Sequence, residues 1–118
     1  MNSTGGFGAL LKHCRQSAGF SQRELAYRSG LDFSYISKLE NGRVPPPAAD
    51  TVVTLSQVLG VAAEGLLALT CKIPSEVQAT VSSSPTAQRF LIEAREMELT
   101  EREWGRLVKS LRLLRTRR

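Results

Sequence analysis

Histidine and cysteine are scarce in this chain, aromatic side chains are few, and no long apolar run occurs. One histidine and two cysteines in 118 residues make a poor ligand set. His13 adjoins Cys14, but Cys71 lies far along the chain, and neither CxxC nor HxxxH spacing is present. No metal and no cofactor is therefore expected. A pair of cysteines at long spacing is no disulfide framework, and reduced thiols fit a cytoplasmic location. The opening MNSTGG has neither the basic nor the apolar region of a signal peptide and is expected to fray. No stretch reaches the roughly eighteen consecutive apolar residues of a membrane span. Catalytic groupings are missing too. There is no Cys-His or Ser-His-Asp constellation, no acidic cluster, and no phosphate loop beyond a lone Gly5-Gly6, so an enzyme is not expected.

What is present suits one small domain with an extension. Hydrophobic residues make up 42% of the chain and aromatics 6%. The core is therefore expected to be mostly Leu, Val, Ile and Ala. A net charge of +5 and a pI near 9.8 favour a polyanionic partner. The charge is unevenly placed: residues 1–70 carry a balance of +1 and residues 71–118 one of +4. From Arg106 onward six basic residues meet no acidic one.

Apolar residues Phe7, Leu10, Leu11, Cys14 and Ala18 recur at helical spacing, and Gly19 is placed to cap that first helix. Ser21 is suited to N-cap the next, with Glu24 completing a capping box and Leu25 and Ala26 turned inward. Gly30 ends it. Leu31 is the expected buried plug of the turn and Asp32 the next N-cap. Either Tyr35 or Ile36 then faces the core with Leu39, until Gly42 stops the helix. Prolines stiffen residues 43–47. A fourth helix is expected over about 48–59, with Val52, Val53, Leu55, Ser56 and Leu59 inward and Gly60 as its stop. A fifth covers 63–69 and carries Leu66, Leu67 and Leu69. One or two further turns are expected over 74–81, then a break, then a helix from Pro85 or Thr86 to about Met97. The last helix is the best signed. Thr100 is its N-cap, Glu103 completes a capping box, and Leu99 and Trp104 form a hydrophobic staple. Trp104, Leu107, Leu111 and Leu114 recur along it with Val108 beside them, while Arg102, Arg106, Lys109 and Arg112 cover much of the rest.

Two short helices, a glycine-containing turn and a closing glycine, SQRELAYRSGLDFSYISKLENG over residues 21–42, have the form of a DNA-reading helix-turn-helix. The second helix is expected to enter a major groove. Exposed on it are Phe33, Ser34, Ser37 and Lys38, with Asp32 at the tip. Ser37 can donate to or accept from a base edge, Lys38 can reach guanine O6/N7 or a phosphate, and Phe33 can pack on a thymine methyl. Gln22, opening the preceding helix, can hold a phosphate oxygen. Each has a plainer reading beside it. Ser37 and Lys38 can make backbone contacts only, Gln22 can simply form helix, and Phe33 can pack on its own helix or on a partner.

The run GFSQRELAYRSGLDFSYISKLENGR, with Leu59-Gly60 further on, resembles the lambda-repressor-like, Cro-type helix-turn-helix family often called XRE, over about residues 7–69. The resemblance implies an all-α fold: a five-helix DNA-binding domain over 1–70, followed by a helical extension over 71–118. It implies a transcriptional regulator, read as a repressor, that binds double-stranded DNA at a palindromic operator. Phe33, Ser34, Ser37 and Lys38 are then base readers. Ser21, Gln22, Asn41 and Arg43 are the phosphate-contacting set. Arg15 and Glu40 look like an ion pair tying the first helix to the reading helix, rather than two solvated charges. Phe33 stands where many relatives carry Gln, Ser or Arg, so base preference does not transfer. Ala48 replaces the usual Ser cap. The stretch LLALTCKIPSEVQATVSSSPTAQRFL also resembles a continuation found in some bacterial members, many of which are paired with an ImmA/IrrE-type metallopeptidase that inactivates them.

The stripe of Trp104, Leu107, Val108, Leu111 and Leu114 has two readings. It folds back on the first helices, or it pairs with its copy in a homodimer. A helix of this length is marginal alone and must bury that face. Because the family closes its core within the first seventy residues, the dimer is the favoured expectation. The basic end is either solvated or touches flanking phosphates. A different class of reading is an antitoxin-like or adaptor module, whose extension binds a partner protein and for which DNA binding is secondary.

Overall fold

The computed structural model describes residues 6–116. Expectations about residues 1–5, and about Arg117 and Arg118 in the basic end, lie outside the described residues. The regular structure is all helical: α1 (Phe7–Ser17), α2 (Gln22–Ser29), α3 (Phe33–Glu40), α4 (Ala49–Leu59), α5 (Glu64–Ala68), α6 (Ser75–Ser82), α7 (Pro85–Met97) and α8 (Glu101–Leu113). The chain forms two compact units, Met1–Gln78 and Ala79–Arg118.

The first unit closes one aliphatic core. Phe7 and Leu11 of α1, Leu25 of α2, Ile36 and Leu39 of α3, Val52 and Leu55 of α4 and Leu66 of α5 meet there, all nearly sealed from solvent. Each such side chain gains roughly 1.5–3 kcal/mol on burial, so the core rather than helix propensity holds these short helices. Ile36, not Tyr35, is the inward residue of α3, and Tyr35 packs half-buried against the cluster. Several flanking expectations shift outward. Ala18 is exposed, Leu31 and Val53 are half-buried, and Leu69 is exposed beyond the end of α5.

The turns follow local chemistry. Ser21 Oγ accepts the Glu24 amide at 3.0 Å, but the Glu24 carboxylate does not complete the box. It takes the Arg28 guanidinium at 2.6 Å instead, because a charge-assisted bond one turn ahead outcompetes a neutral backbone amide. At the end of α3, Gly42 sits at φ +71°, and the Arg43 amide bonds back to the Lys38 carbonyl at 2.9 Å. That left-handed cap fixes where Arg43 leaves the helix.

The segment after α5 is clasped onto the start of α4. Lys72 Nζ donates to the carbonyls of Pro46 and Pro47, each at 3.1 Å. Ser75 donates its hydroxyl and its amide to Asp50, at 2.7 and 3.1 Å. The hydroxyl first and the amide second hold the Asp50 carboxyl below the usual carboxylate range. The Asp50–Ser75 half of the clasp therefore contributes fully above that range and weakens as the pH falls through the lowered value, while the Lys72 bonds do not depend on it.

In the second unit, Ser84 caps α7 at the Ala87 amide with Pro85 opening the helix, and Thr100 and Glu103 close a full capping box on α8. Among its described residues only Ala94 is buried. Trp104, Val108, Leu111 and Leu114 are 37, 44, 63 and 70% exposed, and Leu107 is half-buried.

Candidate nucleic-acid interface

Helix α3 is held from behind by a polar network. Arg15 of α1 donates from Nε to Glu40 Oε2 at 2.6 Å and from Nη2 to Glu40 Oε1 at 2.9 Å. Its Nη1 donates to the Phe20 carbonyl at 2.8 Å. The Arg15 and Glu40 side chains are 10 and 1% exposed. The pairing raises the Arg15 pKa, so the guanidinium stays charged at any working pH. A bidentate pair fixes direction as well as distance, and it sets the roll of α3 against α1.

The same carboxylate reaches the front of the site. Gln22 Nε2 donates to Glu40 Oε1 at 3.0 Å. One amide hydrogen of Gln22 is thus committed and the other remains for a further acceptor. Gln22 is the first residue of α2, where backbone amides also point outward. One end of the network is a buried cation, and the other is the side-chain amide of the first residue of α2.

Gly8 sets how closely α1 approaches. A Cβ there would lie 2.4 Å from the Leu39 carbonyl oxygen and 2.9 Å from that of Glu40. No side chain larger than hydrogen fits between α1 and the end of α3. Sequence reasoning passed over Gly8, because a glycine within a helical pattern carries no signal of what lies across from it.

On the outer side of α3, Phe33, Ser34 and Lys38 are exposed and Ser37 is half-buried. Asp32 caps the helix through the Ser34 amide, and the Ser34 hydroxyl also donates to it. That hydroxyl contact holds the Asp32 carboxyl below its usual range. The Ser34 hydroxyl keeps acceptor capacity, but its proton is spent on Asp32. A charged carboxylate at the start of α3 repels phosphate. The start of α2, where Ser21 and Gln22 stand, has no such carboxylate at its N-cap. Asn41, at the end of α3, reaches the Ser37 hydroxyl only at the 3.5 Å limit, and Arg43 beyond it is exposed.

Two arginines of α2 stack on aromatic rings. Arg28 lies 4.7 Å from the Phe20 centroid, and Arg23 lies 4.3 Å from the Phe33 centroid. Arg23 was not among the residues singled out from sequence. The helical pattern marks it only as exposed, and its neighbour Phe33 is ten positions on, across the turn. Among the described residues no group of His, Cys, Asp or Glu is arranged to hold a metal ion. Nor is any helix long and apolar enough to cross a membrane.

The family described as "Helix-turn-helix domain" matches residues 7–69. The chain is 39% identical over 61 residues to the SPbeta prophage-derived uncharacterized HTH-type transcriptional regulator YonR of Bacillus subtilis (strain 168), covering 52% of this chain and 56% of that protein. It is 37% identical over 62 residues to the uncharacterized HTH-type transcriptional regulator RghRB of the same organism, covering 52% of this chain and 45% of that one. The chain thus spans about half the length of the curated relatives it matches. Among solved structures it is similar to SinR, described as the master regulator for biofilm formation, in complex with DNA. That likeness has 33% identity and a TM-score of 0.50, over 52% of this chain and 97% of that one.

Proposed function

Because the chain belongs to the helix-turn-helix domain family, we propose that it is a sequence-specific transcriptional regulator that binds an operator in double-stranded DNA. It acts as a repressor, in the cytoplasm, and catalyses no reaction. The observation that carries this reading is the Arg15–Glu40–Gln22 network, which locks α3 in one orientation with Phe33, Ser34, Ser37 and Lys38 turned outward. A helix that reads bases has to be held this way, since base contacts depend on register.

In this mechanism Gln22 and the start of α2 take one phosphate, and Asn41 and Arg43 at the far end of α3 take another. The two clamps set the helix in the major groove. Ser37 and Lys38 then meet base edges, and Phe33 meets a thymine methyl. The α7–α8 hairpin joins two copies through Trp104, Leu107, Val108, Leu111 and Leu114, and it holds the reading helices about one DNA turn, roughly 34 Å, apart. The exposed apolar face of α8 supports a partner there. It supports equally a second reading in which another protein, such as a regulatory metallopeptidase of ImmA/IrrE type, occupies the extension.

Selection of bound DNA from a random pool at physiological salt tests the proposal. A palindromic consensus is the expected outcome, and no enrichment over random DNA would overturn it. Lys38→Ala is expected to lower affinity for that consensus by about fivefold or more while leaving random-DNA affinity nearly unchanged. Equal losses on both would reduce Lys38 to a phosphate contact.

A further inference from the structure

We propose that Arg23 reads a guanine, and that it acts as one unit with Phe33, which takes the methyl group of a thymine in the adjacent base pair. The proposal rests on the reading above, in which α3 enters the major groove.

Arg23 is the second residue of α2 and Phe33 the first of α3, so the pair joins the starts of the two helices at one corner of the reading face. The guanidinium carbon sits 4.3 Å from the centroid of the Phe33 ring. That contact places the cation over the face of the ring. It leaves the five N–H donors at the rim of the guanidinium, which no hydrogen bond or ion pair takes up among the described residues. Two neighbouring arginines already have partners: Arg15 is committed to Glu40 and the Phe20 carbonyl, and the Nε of Arg28 to Glu24. Arg23 is therefore oriented by its stack yet open at its fork.

A planar fork of donors matches guanine O6 and N7 in the major groove. The apolar, exposed ring of Phe33 has nothing to offer a polar base edge and suits the thymine methyl. The spacing links the two contacts. Stacked groups 4.3 Å apart are close to the rise of about 3.4 Å between successive bases of a strand. A guanidinium and a ring held at that separation address neighbouring base pairs. The stack also ties their preferences together, since moving either group moves the other.

Random-pool selection on the full chain, with Arg23→Ala, Arg23→Lys and Phe33→Ala beside the unaltered protein, tests this. The unaltered chain is expected to enrich a guanine next to a thymine in each half-site. Arg23→Ala is expected to randomise the guanine position and lower consensus affinity about tenfold, with other positions unchanged. Arg23→Lys keeps the charge but not the fork, so it should weaken the guanine preference to a level between the unaltered chain and Arg23→Ala while holding its random-DNA affinity. Replacing the thymine by uracil, which removes only the methyl, should weaken the unaltered chain severalfold and leave Phe33→Ala unaffected. Retention of the guanine preference by Arg23→Ala would overturn the proposal, as would an equal loss on every sequence, which marks a phosphate contact. A consensus obtained with the unaltered chain, but indifferent to Arg23, would sink this inference and leave the wider reading standing. No consensus at all would sink both.

Discussion

Glu40 is nearly sealed from solvent, and it accepts donors from three directions: Arg15 Nε, Arg15 Nη2 and Gln22 Nε2. Its removal leaves a guanidinium with little access to water and no counter-charge. Glu40→Ala is therefore expected to destabilise the fold by about 3 kcal/mol in urea unfolding, because the uncompensated charge costs more than the pair itself contributes. A loss under about 1 kcal/mol would mean that Arg15 swings out to solvent. Ser56 is the opposite case. Its hydroxyl is buried in α4 and makes no hydrogen bond among the described residues. Replacing it by alanine removes a desolvated polar group, so Ser56→Ala is expected to be neutral or to stabilise by up to about 1 kcal/mol. Marked destabilisation in the same assay would reveal a partner. Arg15 and Glu40 were legible as a pair only through family likeness. The third member of the network, Gln22, was legible only as a phosphate contact or a plain helix former. Its second role appears only where the chain brings residues 22 and 40 together.

Among the elements, the contact of α1 with α3 decides how the reading helix sits. Helix propensity alone predicts that Gly8→Ala stabilises α1 by about 1 kcal/mol. The geometry predicts the reverse, since the added methyl would meet the Leu39 and Glu40 carbonyls at 2.4 and 2.9 Å. An overpacking cost of about 2 kcal/mol net is expected, together with weaker operator binding as α3 is displaced. Thermal melting separates the two, and a raised midpoint would refute the close approach. Caps show how far local sequence reaches. The box of Thr100 and Glu103 forms as its spacing implies. The equivalent box of Ser21 and Glu24 is half made, because Arg28 stands one turn ahead of Glu24 and competes for it. The spacing is the same in both, so the difference lies in the neighbour.

For the whole molecule the two units pose different problems. The first buries a continuous core. In the second, only Ala94 is buried among the described residues, and Leu111 and Leu114 are more than half exposed. An amphipathic helix with so little of its apolar face buried needs a covering surface. Leu107→Glu with Leu111→Glu, made in the full chain, is expected to convert a dimer to a monomer in sedimentation, to leave the melting of the first unit in place, and to weaken operator binding. A dimer that persists would refute the assignment of α8 as the contact. The charge layout bears on the same point. Residues 1–70 carry only +1, so in the proposed mechanism affinity for DNA comes from duplication of the motif and from the basic residues that follow.

The sequence by itself determined the helices, their glycine stops, most of their caps and the Leu-rich core, because each depends on residues within a turn or two of one another. It also marked the motif over residues 21–42, whose spacing is local. Tertiary structure alone decided which of Tyr35 and Ile36 turns inward, that Gly8 has no room for a side chain, and that Gln22 leans on Glu40. It alone set Arg23 over Phe33. These pairings join residues distant in the chain, and only a packed core brings them within a few ångströms.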